Sequence, residues 1–290
     1  MMALGLPGCS VKRMAINMVG NALSESGTTY ASDDDPELVK AAAPFGLKTM
    51  ESLLAQSPRH KGLLTAACSG FTQYSYAFVQ QEADYVEAQD LQRATEMRAR
   101  AKKLYLRATE YGLRALEVDL PGFRDRLRKD PDAVLAKTTR KQLPVLYYTA
   151  AAWAAAFGVD VSDAQLSVDQ TIIEKMMRRA LALDETWEKG AIHDFFISWE
   201  AGHASAGGSY EKAREHFERA QQLAAGQRVS PLVSYAESVS LSRQNRKEFE
   251  QLLNEALRFD VSQAAPEQKL ANIVAQRRAK WLLSRVDELF

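Results

Sequence analysis

The fold is best read from residues 207–220, which run Gly-Gly-Ser-Tyr-Glu-Lys-Ala-Arg-Glu-His-Phe-Glu-Arg-Ala. The two glycines suit a tight turn. From Tyr210 onward, aromatic and small residues recur at Ala213, Phe217 and Ala220, which is a spacing of three, four and three residues. That spacing places the four side chains on one face of a helix. The stretch therefore predicts a turn followed by a helix that packs through small residues.

The same spacing recurs in three other parts of the chain. Reading back three, seven and ten residues from Ala115, Ala180 and Ala256 gives Gly112, Ala108 and Tyr105, then Met177, Ile173 and Gln170, then Leu253, Phe249 and Arg246. These offsets are typical of the second helix of a tetratricopeptide repeat. Such hairpins bury their apolar faces only by stacking on one another. We therefore expect an all-α protein whose tetratricopeptide-like hairpins stack into a compact curved superhelix.

The domain organisation is predicted from the helical periodicity and from the residues that interrupt it. No segment alternates with a period of two, and helical periodicity extends with few interruptions from residue 37 to the end. The acidic trio at 33–35 and Pro36 mark the start of the first long helix. We expect residues 1–35 to hold a truncated signal and lipobox region, a short helix and an acidic linker. Residues 36–290 should form a single tetratricopeptide-like domain.

Composition excludes several classes of function. Lys plus Arg equals Asp plus Glu at 37 each, which argues against a protein that coats nucleic acid. No run approaches the roughly 18 apolar residues that a membrane-spanning helix needs. There is no Gly-x-Ser-x-Gly motif, no cysteine with an evident histidine partner and no phosphate-binding glycine loop. We expect neither an enzyme nor a bound cofactor.

The histidine and cysteine residues do not form a recognisable metal-binding or catalytic motif. Glu200 and His203 have the Glu-x-x-His spacing of di-iron bundles, but that site needs a second pair and further carboxylates, which the sequence lacks. We expect no metal and interpret the histidines as hydrogen-bonded packing residues. Cys68 stands in a run of small and apolar residues and is interpreted as a buried thiol where two helices approach closely.

Two surface and core features leave alternatives open. The region from Arg93 to Lys141 is locally basic, which suits either ordinary solvated helix faces or a surface for an acidic partner or lipid headgroups. Aromatic residues are dense at 71–78 and 147–153, where their rings either pack between hairpins or line an apolar cleft. No interleaving of aromatic and basic residues indicates nucleic-acid binding.

The run Leu6-Pro7-Gly8-Cys9-Ser10 resembles the lipobox of bacterial lipoproteins, in which an apolar residue and two small residues precede the acylated cysteine. Leu6 and Gly8 fit that pattern, Pro7 stands where Ala, Ser or Thr is usual, and eight residues precede Cys9. We expect lipidation at Cys9. Several acyl chains, at about 0.8 kcal/mol per buried methylene, hold a domain stably on a membrane.

An ordered set of segments resembles the T component associated with TRAP transporters, a family of periplasmic lipoproteins with tetratricopeptide-like helices. The similarity extends over nearly the whole chain from Cys9 onward. The segments that carry it are Leu47–Leu54, Ser57-Pro58, Leu63–Val79, Leu104–Leu116, Leu146–Trp153, Gly207–Phe217 and Asn272–Phe290.

The resemblance implies a helical domain in the periplasm that is tethered by Cys9, with Ser10 favouring the outer membrane. It implies partnership with the transporter's solute-binding protein, a homotrimer, and an apolar cleft for a hydrophobic ligand. The cleft candidates are Phe71, Tyr74, Phe78, Tyr147 and Trp153, with Asn272 and Gln276 as polar groups that orient the ligand. The alternative function is a generic tetratricopeptide scaffold lipoprotein that assembles an envelope complex by binding a peptide.

Overall fold

The computed structural model describes residues 17–22, 27–203 and 207–290. Regular structure in those ranges is entirely helical, without a strand. The all-α prediction is confirmed. Cys9 lies outside the described residues, so its lipidation stays a prediction.

Ten helices carry the features discussed below. They are α1 (Pro36–Gln56), α2 (Lys61–Ser75), α3 (Leu91–Asp119), α4 (Leu143–Val159), α5 (Ala164–Leu183), α6 (Ala191–Gly202), α7 (Tyr210–Ala224), α8 (Ser230–Tyr235), α9 (Arg246–Arg258) and α10 (Lys269–Ser284). Shorter α-helices cover Gly27–Ala31, Gln81–Val86, Phe123–Lys129, Pro131–Leu135 and Val286–Leu289. Single 3-10 turns lie at Arg140–Gln142, Trp187–Lys189, Val261–Gln263 and Pro266–Gln268.

Local sequence accounts for most helix starts. Ser209 caps α7 by accepting a hydrogen bond from the Lys212 N–H at 3.0 Å, and Asn245 caps α9 through the Glu248 N–H at 3.3 Å. The His60 ring accepts from the Leu63 N–H at 3.2 Å and caps α2. Each cap satisfies an amide that the first helical turn leaves without a backbone partner.

Two features of the backbone differ from the sequence prediction. The apolar periodicity of the sequence predicts a helix over residues 187–203, but Glu188, Lys189 and Gly190 all have positive φ angles, so α6 begins at Ala191. The same periodicity predicts continuous helices over residues 61–87 and 232–244, but each of these segments contains a π-helical turn, at Tyr76–Gln80 and Ala236–Ser240. Hydrophobic periodicity does not reveal such turns, because they insert one residue into an otherwise regular helix.

The described chain divides into two compact units. Unit 1 contains Lys40–Gln80 and Thr95–Lys175 together with the described residues before Thr28, and unit 2 contains Thr28–Val39, Gln81–Ala94 and Met176–Phe290. The single domain over 36–290 and the superhelical stacking of hairpins stay predictions.

In unit 1, α2, α3 and α4 meet where Gly112 has no side chain. A Cβ atom on Gly112 would lie 2.0 Å from Oγ1 of Thr149 and 2.9 Å from Sγ of Cys68. Both neighbours are completely buried, and their Sγ and Oγ1 atoms are 3.9 Å apart. The small thiol expected at a close helix crossing is therefore found at one.

In unit 2, α6 and α7 form the hairpin that residues 207–220 predict. A Cβ atom on Gly208 would lie 2.4 Å from the Glu200 carbonyl oxygen, so the turn after α6 has room only for glycine. α7, α8 and α9 then pack in sequence, and α10 packs on α9. The core consists mainly of the residues at the repeated offsets and their neighbours: Ile197, Ala213, Ala220, Val233, Phe249, Leu253, Ala256, Ala279 and Leu282.

The crossing in unit 1 gives a stability test. Gly to Ala inside a helix usually stabilises a protein by roughly 0.5–1 kcal/mol. We expect Gly112→Ala instead to lower the free energy of unfolding by about 1–3 kcal/mol, because the methyl group overlaps Thr149. Urea denaturation followed by circular dichroism measures the change.

Gly158→Ala is the matched control, because a Cβ at the exposed Gly158 of α4 meets nothing within 4 Å. We expect this variant to be as stable as the parent or more stable. Equal effects of the two substitutions would contradict the close crossing.

Candidate functional site

The aromatic residues predicted at 71–78 form a buried cluster in unit 1. Phe71 on α2 stacks on Tyr111 of α3, with ring centroids 5.9 Å apart and planes inclined by 15°. Tyr74, one turn further along α2, lies 5.9 Å from Phe78 in the π-helical turn. Phe71, Tyr74 and Phe78 are each exposed by less than one tenth. The structure brings these three cleft candidates onto one helical segment and adds Tyr111.

Glu51 of α1 fixes the edge of this cluster. The Tyr111 hydroxyl donates to Oε1 of Glu51 at 2.8 Å, and the Lys48 ammonium donates to Oε2. Burial acts to raise the pKa of Glu51, but these hydrogen bonds and the nearby Arg107 lower it overall. Burial and the Glu51 carboxylate raise the pKa of Tyr111 to about 12. The pair therefore holds a phenol and a carboxylate in one fixed geometry at neutral pH.

Arginines of α3 cover the same rings. The Cζ atom of Arg107 lies 5.5 Å from the centroid of Phe71, and that of Arg100 lies 6.0 Å from Tyr74. In the sequence, the basic stretch and the aromatic residues at 71–78 lie in separate segments. Their combination depends on how α2 packs on α3, although the seven-residue spacing of the arginines was a signal that could have been noticed.

The other two aromatic candidates of unit 1 have different ring partners. Trp153 on α4 is buried and lies beneath Arg128, whose Cζ is 5.9 Å from the ring. Tyr147 is half-buried and meets Tyr148 edge to face at 5.1 Å. Their role in a ligand cleft stays a prediction.

Asn272 and Gln276 on α10 belong to unit 2 and are bonded to backbone groups. Oδ1 of Asn272 accepts from the Val229 N–H at 3.0 Å, and its Nδ2 donates to the Gln227 carbonyl at 2.9 Å. Nε2 of Gln276 donates to the carbonyls of Ala256 and Phe259 at 2.9 and 2.8 Å. The Asn272 amide thus holds the segment before α8, and the Gln276 amide binds the C-terminal end of α9. Orientation of a ligand by either amide stays a prediction.

Comparison with known proteins bears directly on the identity of the chain. The sequence profile of the TRAP transporter T-component family matches residues 32–290. The chain belongs to the TRAP transporter T-component family. It is also similar to an uncharacterized protein of Treponema pallidum (strain Nichols), with 31% identity over 306 aligned positions that cover 98% of this chain and 93% of that protein.

Membership of the T-component family confirms the recognised resemblance at the level of the family. The family is a transporter component rather than an enzyme class. Among the described residues, no helix combines the length and the apolar character needed to cross a membrane.

The groups with reactive potential in this T component are engaged structurally. Complete burial raises the pKa of the Cys68 thiol to about 12, so the nucleophilic thiolate is suppressed. Glu200 accepts from Arg178 at 2.9 Å, whereas the His203 ring stacks on Trp199 at 4.2 Å. Within the described ranges, no three His, Cys, Asp or Glu side chains are grouped to hold a metal ion.

His193 and His216 form a closely packed pair in unit 2. Their Nδ1 atoms are 2.8 Å apart, and Nε2 of His193 faces Glu185 at 3.3 Å. Phe196 stacks on His216 at 4.9 Å. Burial, together with the charges of His193 and Arg178, lowers the pKa of His216 to about 4. Burial also lowers the pKa of His193, against the opposing effect of Glu185.

This pair predicts that acid destabilises the fold. Below about pH 6.5 the two imidazoles bind protons in the unfolded chain but stay neutral in the folded protein. The free energy of unfolding therefore falls as the pH drops from about 6.5 toward 4. We expect the free energy of unfolding to be lower at pH 5 than at pH 7 by roughly 1–2 kcal/mol because of this pair, since solvent screens part of the effect. Urea denaturation at both pH values measures it.

His216→Phe should flatten this pH dependence, because it keeps a ring beside Phe196 and removes one titrating group. His203→Gln is the control and should retain the parental slope. A parental slope in the His216 variant would show that the pair is not the source.

Proposed function

We propose that this chain is a non-enzymatic accessory component of a TRAP-type solute importer that docks the periplasmic solute-binding protein. The observation that carries the proposal is the family match over residues 32–290. In this proposal the permease and its ion gradient perform the transport. The T component supplies a docking surface and binds or relays a hydrophobic ligand.

The proposed location is the periplasm, with the chain held by acyl chains on Cys9 and sorted to the outer membrane, and the proposed assembly is a homotrimer. The lipobox-like run at residues 6–10 supports the anchor.

The aromatic cluster of unit 1 supports the ligand part of the proposal. Phe71, Tyr74, Phe78 and Tyr111 supply apolar area, and the Tyr111–Glu51 hydrogen bond supplies a polar edge. Binding sites for apolar ligands combine a mainly apolar lining with a few fixed polar groups.

One experiment tests the lipid anchor at Cys9 separately from the binding of the solute-binding protein. In the full-length precursor, we expect Cys9→Ala to move the protein from the membrane pellet to the soluble fraction, because it removes the acylated sulfur. Purification of tagged parent and variant from envelope extracts should recover the TRAP solute-binding protein with both, as identified by mass spectrometry.

Unchanged membrane association of Cys9→Ala would exclude the lipid anchor. Recovery of other envelope proteins without a solute-binding protein would exclude the docking role and favour the scaffold alternative.

Ligand binding is tested with the uncharged dye N-phenyl-1-naphthylamine, whose fluorescence rises in apolar surroundings. We expect Phe71→Leu to weaken dye binding at least fivefold, because it removes the ring that stacks on Tyr111 while keeping an apolar core. Fluorescence titration measures the dissociation constant, and circular dichroism verifies the helical content.

Phe249→Leu is the matched control, since Phe249 is fully buried in unit 2. It should bind the dye like the parent. Equal losses in the two variants, or no saturable binding by the parent, would contradict a ligand site at the aromatic cluster.

A further inference from the structure

Three arginines of α3 form a regular row in unit 1. Arg100, Arg107 and Arg114 are spaced seven residues apart. A helix rises about 1.5 Å per residue, so successive members are about 10.5 Å apart. Seven residues fall only about 20° short of two full turns, so the three side chains leave nearly the same face. We call them the arginine ladder.

Each member of the arginine ladder lies over an aromatic ring. The Cζ atoms of Arg100, Arg107 and Arg114 are 6.0, 5.5 and 5.4 Å from the ring centroids of Tyr74, Phe71 and Tyr111. A cation over the face of an aromatic ring is attracted by the negative charge of the ring face. The rings are themselves fixed by the Phe71–Tyr111 stack. The guanidinium groups are therefore held in place instead of moving freely in solvent.

The arginine ladder keeps most of its hydrogen-bonding capacity. Among the described residues, each guanidinium makes one polar contact: Arg100 with the Tyr74 hydroxyl at 3.5 Å, Arg107 with Glu51 at 3.5 Å, and Arg114 with the Pro58 carbonyl at 3.0 Å. A guanidinium carries five N–H donors. Glu51 is the one described carboxylate within ion-pair distance of the row, and it is shared with Lys48. Glu96, Glu110 and Glu117 also stand one turn from members of the row, and Glu110 pairs with Arg124 at 3.0 Å. With Lys48, Lys103 and Arg124 included, this surface holds six cations and four carboxylates, so a small positive excess remains.

The exposed surface beside the arginine ladder includes apolar area and another cation. Leu106 is 39% exposed although it stands in the middle of a long packed helix. Ala99 and Lys103 are exposed on adjacent turns. Interfaces between helices combine an apolar seam with flanking charges that set register. α3 presents both elements.

We propose that the arginine ladder docks an acidic helical segment of a partner protein whose carboxylates recur every seven residues. A helix lying along α3 repeats its contacts at that interval. Each guanidinium, held near a ring, can then form a bidentate pair with one carboxylate. A membrane surface attracts mobile lysines equally well and needs neither the spacing nor the stacking. This inference does not rest on the proposed function, because it names the partner by its charge pattern alone.

Two fluorescein-labelled synthetic helical peptides of identical composition test the proposal against the full chain. One carries three glutamates seven residues apart, and the other carries the same three glutamates in adjacent positions. Fluorescence anisotropy at low salt should show at least fivefold tighter binding of the spaced peptide. The triple variant Arg100→Gln, Arg107→Gln, Arg114→Gln should weaken that binding at least tenfold.

Two further triple variants separate geometry from charge. Lys137→Gln, Arg140→Gln, Lys141→Gln removes the same charge from another exposed part of unit 1 and should change binding less than twofold. Replacing the three ladder arginines with lysine keeps the charge but removes the planar fork, and should weaken binding at least threefold. Circular dichroism verifies that every variant is folded.

Three results would overturn the proposal. They are equal affinity for the two peptides or no measurable binding of either, equal losses in the ladder and control variants, and binding that depends on the ladder only with vesicles containing phosphatidylglycerol. The last result would assign the row to a lipid surface instead.

Discussion

The close approach of three helices at Gly112 is the constraint on which unit 1 depends. Sγ of Cys68, Oγ1 of Thr149 and the missing Cβ of Gly112 occupy one small volume where α2, α3 and α4 cross. Because interiors are packed to the density of organic crystals, a single methyl group there has no space. The crossing also fixes how α2 lies against α3, and with it the stack of Phe71 on Tyr111 one turn away.

The placement of α3 in turn determines what surrounds the aromatic cluster. Phe71 and Tyr74 face arginines of α3 on one side, and Tyr111 is hydrogen-bonded to Glu51 of α1. The cluster is therefore apolar in its rings and ionic along its edge. The proposals of an apolar ligand and of an acidic partner both depend on that combination.

Sequence periodicity predicted the positions of the helices but not the irregular turns of their backbone. The apolar periodicity predicts helices over residues 37–56, 91–118 and 210–223. α1, α3 and α7 begin and end within one residue of these limits, because each has clear caps and a regular apolar stripe. The alanines at the repeated offsets, such as Ala115 and Ala256, are fully buried as expected. The π-helical turns and the left-handed run at 188–190 were not predicted, since tertiary packing can override local propensity.

The candidate site was predictable only in part. Density of aromatic residues located Phe71, Tyr74 and Phe78, whose burial follows from their type. Ligand orientation by Asn272 and Gln276 stays a prediction, and the structure adds that their amides bond to backbone groups at least 17 residues away in sequence. A sequence does not show which unpaired backbone groups will lie beside a polar side chain. The pairing of arginines with aromatic rings was not predicted either, because it depends on how α2 packs against α3.

The rate at which the Cys68 thiol reacts is the most direct test of how closely α2, α3 and α4 pack at Gly112. In a Cys9→Ser variant, Cys68 is the sole thiol and is completely buried. If α2, α3 and α4 are closed around it, labelling by a disulfide reagent should be at least about a thousandfold slower than for a free thiol, and its rate should track global unfolding as urea is added. Rapid labelling in native buffer, independent of urea, would contradict the account, because it would mean that the crossing opens without unfolding the unit.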